Sequence, residues 1–110
     1  MAGLKTTWDM GDRVISLRDV IRDLNKRQRR VHSMPARSLY KMLDRRLEIS
    51  QARMQRADLS APIIVEVDRQ TRRPVVVLDG NHRLAKAVAL NTNVRMRILY
   101  TDERDELFGK

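Results

Sequence analysis

Five consecutive residues, Asp79-Gly80-Asn81-His82-Arg83, bring together a carboxylate, a glycine, an amide, an imidazole and a guanidinium. They follow the β-branched run Val75-Val76-Val77 and precede Leu84, Ala85, Val88 and Ala89, which are spaced as one side of a helix. The spacing predicts a strand, a tight turn and a helix start. At a helix N-terminus the first backbone N–H groups lack intrahelical partners and the aligned peptide dipoles leave partial positive charge, so an anion is stabilised there. A glycine lets the chain turn sharply and approach a ligand with no Cβ in the way. Gly80, Asn81, His82 and Arg83 are therefore the candidate phosphate- or nucleotide-binding residues, with Arg83 able to fork onto an anion and Asn81 and His82 adding donors. Asp79 and His82 are the candidate catalytic residues if the chain is an enzyme, acting as acid and base or as partners of Mg²⁺. The same residues also fit an ordinary helix start, since Asp-Gly is a common turn pair and Asn a common cap.

A second group is purely basic. Arg27, Arg29 and Arg30 lie in the densest positive cluster, 25–32, and Arg45 and Arg46 lie on the polar side of a later helical pattern. These five are the candidate nucleic-acid contacts, and the alternative for such a run is a solvated connector. The whole chain leans the same way: 23 Lys and Arg oppose 14 Asp and Glu, giving a net charge of +9. Nucleic acid, a nucleotide or an acidic protein surface is the partner class that this charge suits. Aromatic residues are only 4% of the chain, too few for a platform of exposed rings on which bases would stack.

Other chemistries drop out. Without cysteine there is no disulfide, thiolate nucleophile or Cys-based zinc site. His32 and His82 are the only histidines, so metal ligands stay unassigned. No apolar run of 18 residues and no signal-like segment is visible, and a cytoplasmic location is expected.

These candidates need elements to hold them. Val14-Ile15 reads as a short strand, and Ser16 with Asp19 has capping-box spacing before a helix over about 17–25. Ser33-Met34-Pro35 reads as a cap and early-turn proline opening one long helix over about 36–57, through Leu39, Leu43, Leu47 and Met54. Ile63-Ile64-Val65-Glu66-Val67 and Pro74-Val75-Val76-Val77-Leu78 read as a hairpin, with Glu66 at an exposed strand position. The second strand, apolar on both faces, is expected at the centre of its sheet. A helix after Gly80 should stop at Asn91-Thr92-Asn93, and 94–100 alternate as a half-exposed strand. The fold class is α+β, a mixed sheet of about four strands with about three helices.

The series Pro62-Ile63-Ile64-Val65, then Val75 through Ala87, then Val94-Arg95-Met96-Arg97-Ile98 resembles the ParB/sulfiredoxin superfamily, in which a G-x-x-R turn opens a helix. The likeness runs over about 13–101, with 1–12 a flexible lead-in carrying Trp8 and 102–110 a charged tail expected to fray. It implies a small ParB-like domain, of the standalone kind found in phage or mobile elements, whose turn holds the phosphates of a nucleoside triphosphate and which associates with DNA. Asn81 stands where sulfiredoxins carry their cysteine, which excludes sulfinic acid reduction. Asn-His-Arg replaces the Glu-Arg-Arg usual in chromosome-partition ParB proteins. The Asp-Gly-x-His-Arg form also resembles free-serine kinases on this scaffold. Three functions follow: a phosphate-binding module for nucleotide or nucleic acid, a Mg²⁺-dependent nuclease or phosphoryl-transfer enzyme, and a phage-type factor that grips an acidic host protein.

Overall fold

The computed structural model describes residues 7–9, 14–43 and 49–108, with side chains from Ser16 onward within those ranges. A hairpin of β1 (Thr7–Asp9) and β2 (Val14–Ser16) leads into α1 (Leu17–Lys26), followed by β3 (His32–Pro35) and α2 (Ala36–Met42). Next come α3 (Gln51–Arg56), β4 (Ile63–Val67), β5 (Pro74–Asp79), α4 (Asn81–Ala89), β6 (Asn93–Tyr100) and α5 (Thr101–Leu107).

The main sheet has the order β3-β6-β4-β5. Its outer pairs are antiparallel and the central β4–β6 pair is parallel, because β5 and α4 carry the chain away from β4 and back. Every residue of β4 is buried, and the two faces of the strand serve two cores. Ile63, Val65 and Val67 join Ala36 and Leu39 of α2 and Leu84 and Ala87 of α4. On the opposite face Ile64 meets Leu99 of β6 and Leu17, Val20 and Leu24 of α1. The fold is thus α+β, a mixed four-stranded sheet between helices, with five helices among the described residues where about three were expected.

Local signals explain several elements. Ser16 Oγ accepts the Asp19 N–H at 3.2 Å while Asp19 Oδ2 accepts the Ser16 N–H at 3.1 Å, so the expected capping box starts α1. The Ser16 donors hold the Asp19 carboxyl below its ordinary pKa. Asn91 takes a left-handed φ of 53° where α4 ends.

Other expectations are corrected. The long helix over 36–57 is two helices: Leu43 is extended at φ −87° and ψ 134°, and Ser50 opens α3 anew as its N-cap. A helix of that length would run about 33 Å, more than twice the reach of the nine-residue α4 beside it, so its far half would leave the core. Leu47 and the candidate contacts Arg45 and Arg46 lie outside the described residues, as does the Trp8 side chain. Ser33-Met34-Pro35 is strand, paired with β6 in the register Ser33–Arg95, Met34–Val94, Pro35–Asn93, at an edge where a missing N–H is tolerated. The strand expected at the centre, β5, is the other edge, and Val75 is exposed there. Its C-terminal half is covered on both faces, by Val77 in one core and Leu78 against the other, and such coverage is independent of lateral position. The segment expected to fray begins as α5, and Glu66 is buried rather than exposed, accepting from Thr101 Oγ1 at 2.8 Å.

Candidate phosphate-binding turn

Gly80 is the N-cap of α4 at φ 100° and ψ 27°, a left-handed conformation that L-residues rarely adopt. A Cβ at this position would collide with Ile63 Cγ2 and would lie 2.9 Å from Arg83 Nη1. Ile63 belongs to the fully buried strand β4, so the backbone at the turn is pressed against the sheet. The first bond of the helix runs from Leu84 N–H to the Gly80 carbonyl at 2.9 Å. The N–H groups of Asn81, His82 and Arg83 precede it and have no intrahelical acceptor. Hence the sequence-predicted turn exists, and the glycine in it is required by both space and φ.

The side chains are arranged differently from the sequence expectation. Arg83 faces inward: Nη1 donates to the Pro62 carbonyl at 2.8 Å, and Nη2 lies 3.4 Å from Asp79 Oδ2. Its fork binds the turn to the start of β4 and neutralises the carboxylate beside it. His82 points to another helix, its Nε2 accepting the Ser50 N–H at 3.1 Å. That bond requires the neutral imidazole with its proton on Nδ1. Burial, with a smaller contribution from the Arg53 charge, lowers the His82 pKa below its ordinary value. Asn81 Oδ1 is buried without a hydrogen-bond partner.

Asp79 and His82, the candidate catalytic residues, therefore serve separate partners. Among the described residues no three His, Asp or Glu side chains gather as a metal-binding group. The turn itself would offer Mg²⁺ one carboxylate already paired with a guanidinium and one imidazole, a donor set unsuited to a cation that takes octahedral oxygen ligands.

Of the candidate nucleic-acid contacts, two are engaged in ion pairs within the protein. Arg27 pairs with Asp23 at 2.8 Å and with Glu103 and Glu106 at 3.0 Å. Arg29 pairs with the same Glu103 oxygen and lies 5.0 Å from the Tyr100 ring centroid. Arg69, a residue that the sequence reading did not select, completes the cluster over Tyr100 at 3.9 Å and pairs with Asp102 at 3.0 Å. The loop is braced from the sheet as well, since Arg97 donates to the Arg29 carbonyl and to Asn25 Oδ1. Arg30 alone of the three described candidates is exposed without such a partner.

Glu103, only 2% exposed, is the centre of this network and was missed because acidic residues near a basic chain's end read as solvated. Its Oε1 also accepts the Tyr100 N–H at 2.9 Å, at the start of α5. No helix among the described residues is long and apolar enough to cross a membrane. Comparisons with protein-family models, curated proteins and solved structures find no match to this chain.

Proposed function

We propose that this chain is a phosphate-binding module, ParB-like in its turn, which receives a nucleotide or nucleic-acid phosphate at Gly80, Asn81, His82 and Arg83. The observation that supports the reading is the left-handed Gly80 at the head of α4, where a Cβ is sterically forbidden and three N–H groups point out of the helix start. In this reading the backbone N–H groups bind and Arg83 positions them. Arg53, whose charge His82 feels, adds a cation nearby. The ligand class includes nucleoside triphosphates, the associated polymer is DNA, and the location is the cytoplasm. The enzyme reading gains nothing comparable, because Asp79 and His82 are engaged with Arg83 and Ser50.

The test is a titration of the isotope-labelled protein with inorganic pyrophosphate and with a nucleoside triphosphate, followed by backbone amide resonances. Saturable shifts centred on Asn81, His82 and Arg83 are expected. Shifts confined to other amides, or none at millimolar ligand, would remove the turn from the binding site.

A further inference from the structure

The arginines that the network around Glu103 leaves free lie elsewhere. On α1, Arg18, Arg22 and Lys26 follow one another every four residues and all three are exposed. Each step of four advances about 6 Å along the helix and about 40° around it, so the three charges form one slowly winding stripe about 12 Å long. The stripe lies opposite Leu17, Val20 and Leu24, which are buried in the core. None of the three makes a hydrogen bond or ion pair with another described residue.

The acidic residues of the same helix offset this charge only in part. Asp19 accepts from Ser16 in the capping box, and Asp23 pairs with Arg27 at 2.8 Å. Asn25 lends its Oδ1 to Arg97. Asp19 is near enough to Arg18 and Arg22 for their charges to help lower its pKa, yet both carboxylates of α1 are engaged elsewhere, and the outward face of the helix is predominantly cationic.

We infer that this face of α1 is a docking surface for the phosphate backbone of duplex DNA. The inference rests on the reading of the domain as DNA-associated, and it places the polymer on a surface other than the Gly80 turn. Complementarity of charge selects the partner. A duplex presents one negative charge per about 1.7 Å of its axis, so a rigid stripe of this length always faces several phosphates. Guanidiniums at Arg18 and Arg22 suit bidentate phosphate contacts. A lipid surface is a poorer match, because the apolar side of α1 is already consumed by Ile64 and Leu99 and cannot enter a membrane. Single strands are a poorer match too, since Tyr100 is covered by Arg29 and Arg69 and, among the described residues, Tyr40 is the one exposed aromatic ring, too few for a stacking track. Contacts from these side chains to phosphate oxygens carry no sequence information, so the proposed docking is indifferent to sequence.

The experiment measures binding of a labelled DNA duplex by fluorescence anisotropy between about 50 and 200 mM salt. Three proteins are compared: wild type, Arg18→Gln/Arg22→Gln/Lys26→Gln, and the control Arg56→Gln/Arg72→Gln/Arg73→Gln. Both triples remove three exposed charges, and Gln keeps a similar helix propensity. The α1 triple should bind about tenfold to a hundredfold more weakly and lose about 2–3 units from the slope of log affinity against log salt. The control should stay near wild type. Equal losses in the two triples, an unchanged slope in the α1 triple, or tighter binding of single strands than of duplex would each overturn the inference. The pyrophosphate-induced shifts of Asn81, His82 and Arg83 report on the turn separately, so either proposal can fail while the other stands.

Discussion

His82 Nε2 accepts the backbone N–H of Ser50 at 3.1 Å, so a side chain in the first turn of α4 caps the start of α3. One turn further on, Lys86 Nζ donates to the carbonyls of Gln55 and Ala57 at 2.9 and 2.8 Å, at the opposite end of α3. The six-residue α3 has no buried residue and is held at both ends by two side chains spaced i, i+4 on its neighbour.

The His82 bond makes part of the stability depend on pH. Burial and the Arg53 charge depress the folded-state pKa of His82 below its ordinary 6.5, so the folded protein favours the neutral ring. This contribution is complete above the unfolded value and is lost as pH falls through the folded one. Urea denaturation of wild type should show a midpoint that is level above about pH 7 and declines below 6.5, while His82→Gln, which can still accept from Ser50, flattens that decline. Parallel pH profiles for the two proteins would contradict the assignment.

Lys86→Met should loosen α3 without unfolding the core, because the lost bonds sit at a helix end that carries no buried residue. Amide hydrogen exchange over 50–57 should accelerate, while protection in β4 and β6 stays close to wild type.

Gly80→Ala should destabilise the fold by about 1–3 kcal/mol from backbone strain alone, and by more if Ile63 must move. Equilibrium unfolding in urea measures the loss, and a change of less than about 0.5 kcal/mol would mean that the turn relaxes out of its left-handed conformation.

Glu103→Ala strands three guanidiniums that converge on one buried carboxylate. Breaking a buried pair costs about 3–5 kcal/mol, and a loss of about 2–4 kcal/mol is expected because Arg27 and Arg69 reach solvent. The same denaturation measurement checks it. Proteolysis should begin in α5, which loses its buried anchor and keeps the packing of Leu107, the Thr101–Glu66 bond and the Asp102–Arg69 and Glu106–Arg27 pairs.

The sequence made the local devices legible and hid the long-range ones. Ser16 with Asp19, Gly80 before a helix and Asn91 after it act within a few residues, so their spacing carries the information. The hairpin of β4 and β5 was legible from two β-branched runs around a polar turn. Glu66 and Glu103 were not, since their partners Thr101, Arg27, Arg29 and Arg69 lie far away in the chain. The break after Met42 was hidden for a related reason: Leu39 and Met54 keep helical spacing, and only the short reach of α4 decides that one helix cannot serve both. At the candidate site the turn was legible while the inward rotation of Arg83 was not, because its acceptor is the carbonyl of Pro62.

The placement of β6 has a consequence for how the chain comes to be folded. It lies between β3 and β4, yet follows both in the chain by dozens of residues. Until it arrives, β3 has no strand partner among the described residues and β4 keeps an open side, so the sheet has no centre until β6 has been made. The β4–β5 hairpin can form early from local contacts, but the folded state must wait for closure of the long loops that bring β6 into place. Folding should therefore be a late and concerted event, with β4, the most apolar strand, the one that needs protection beforehand.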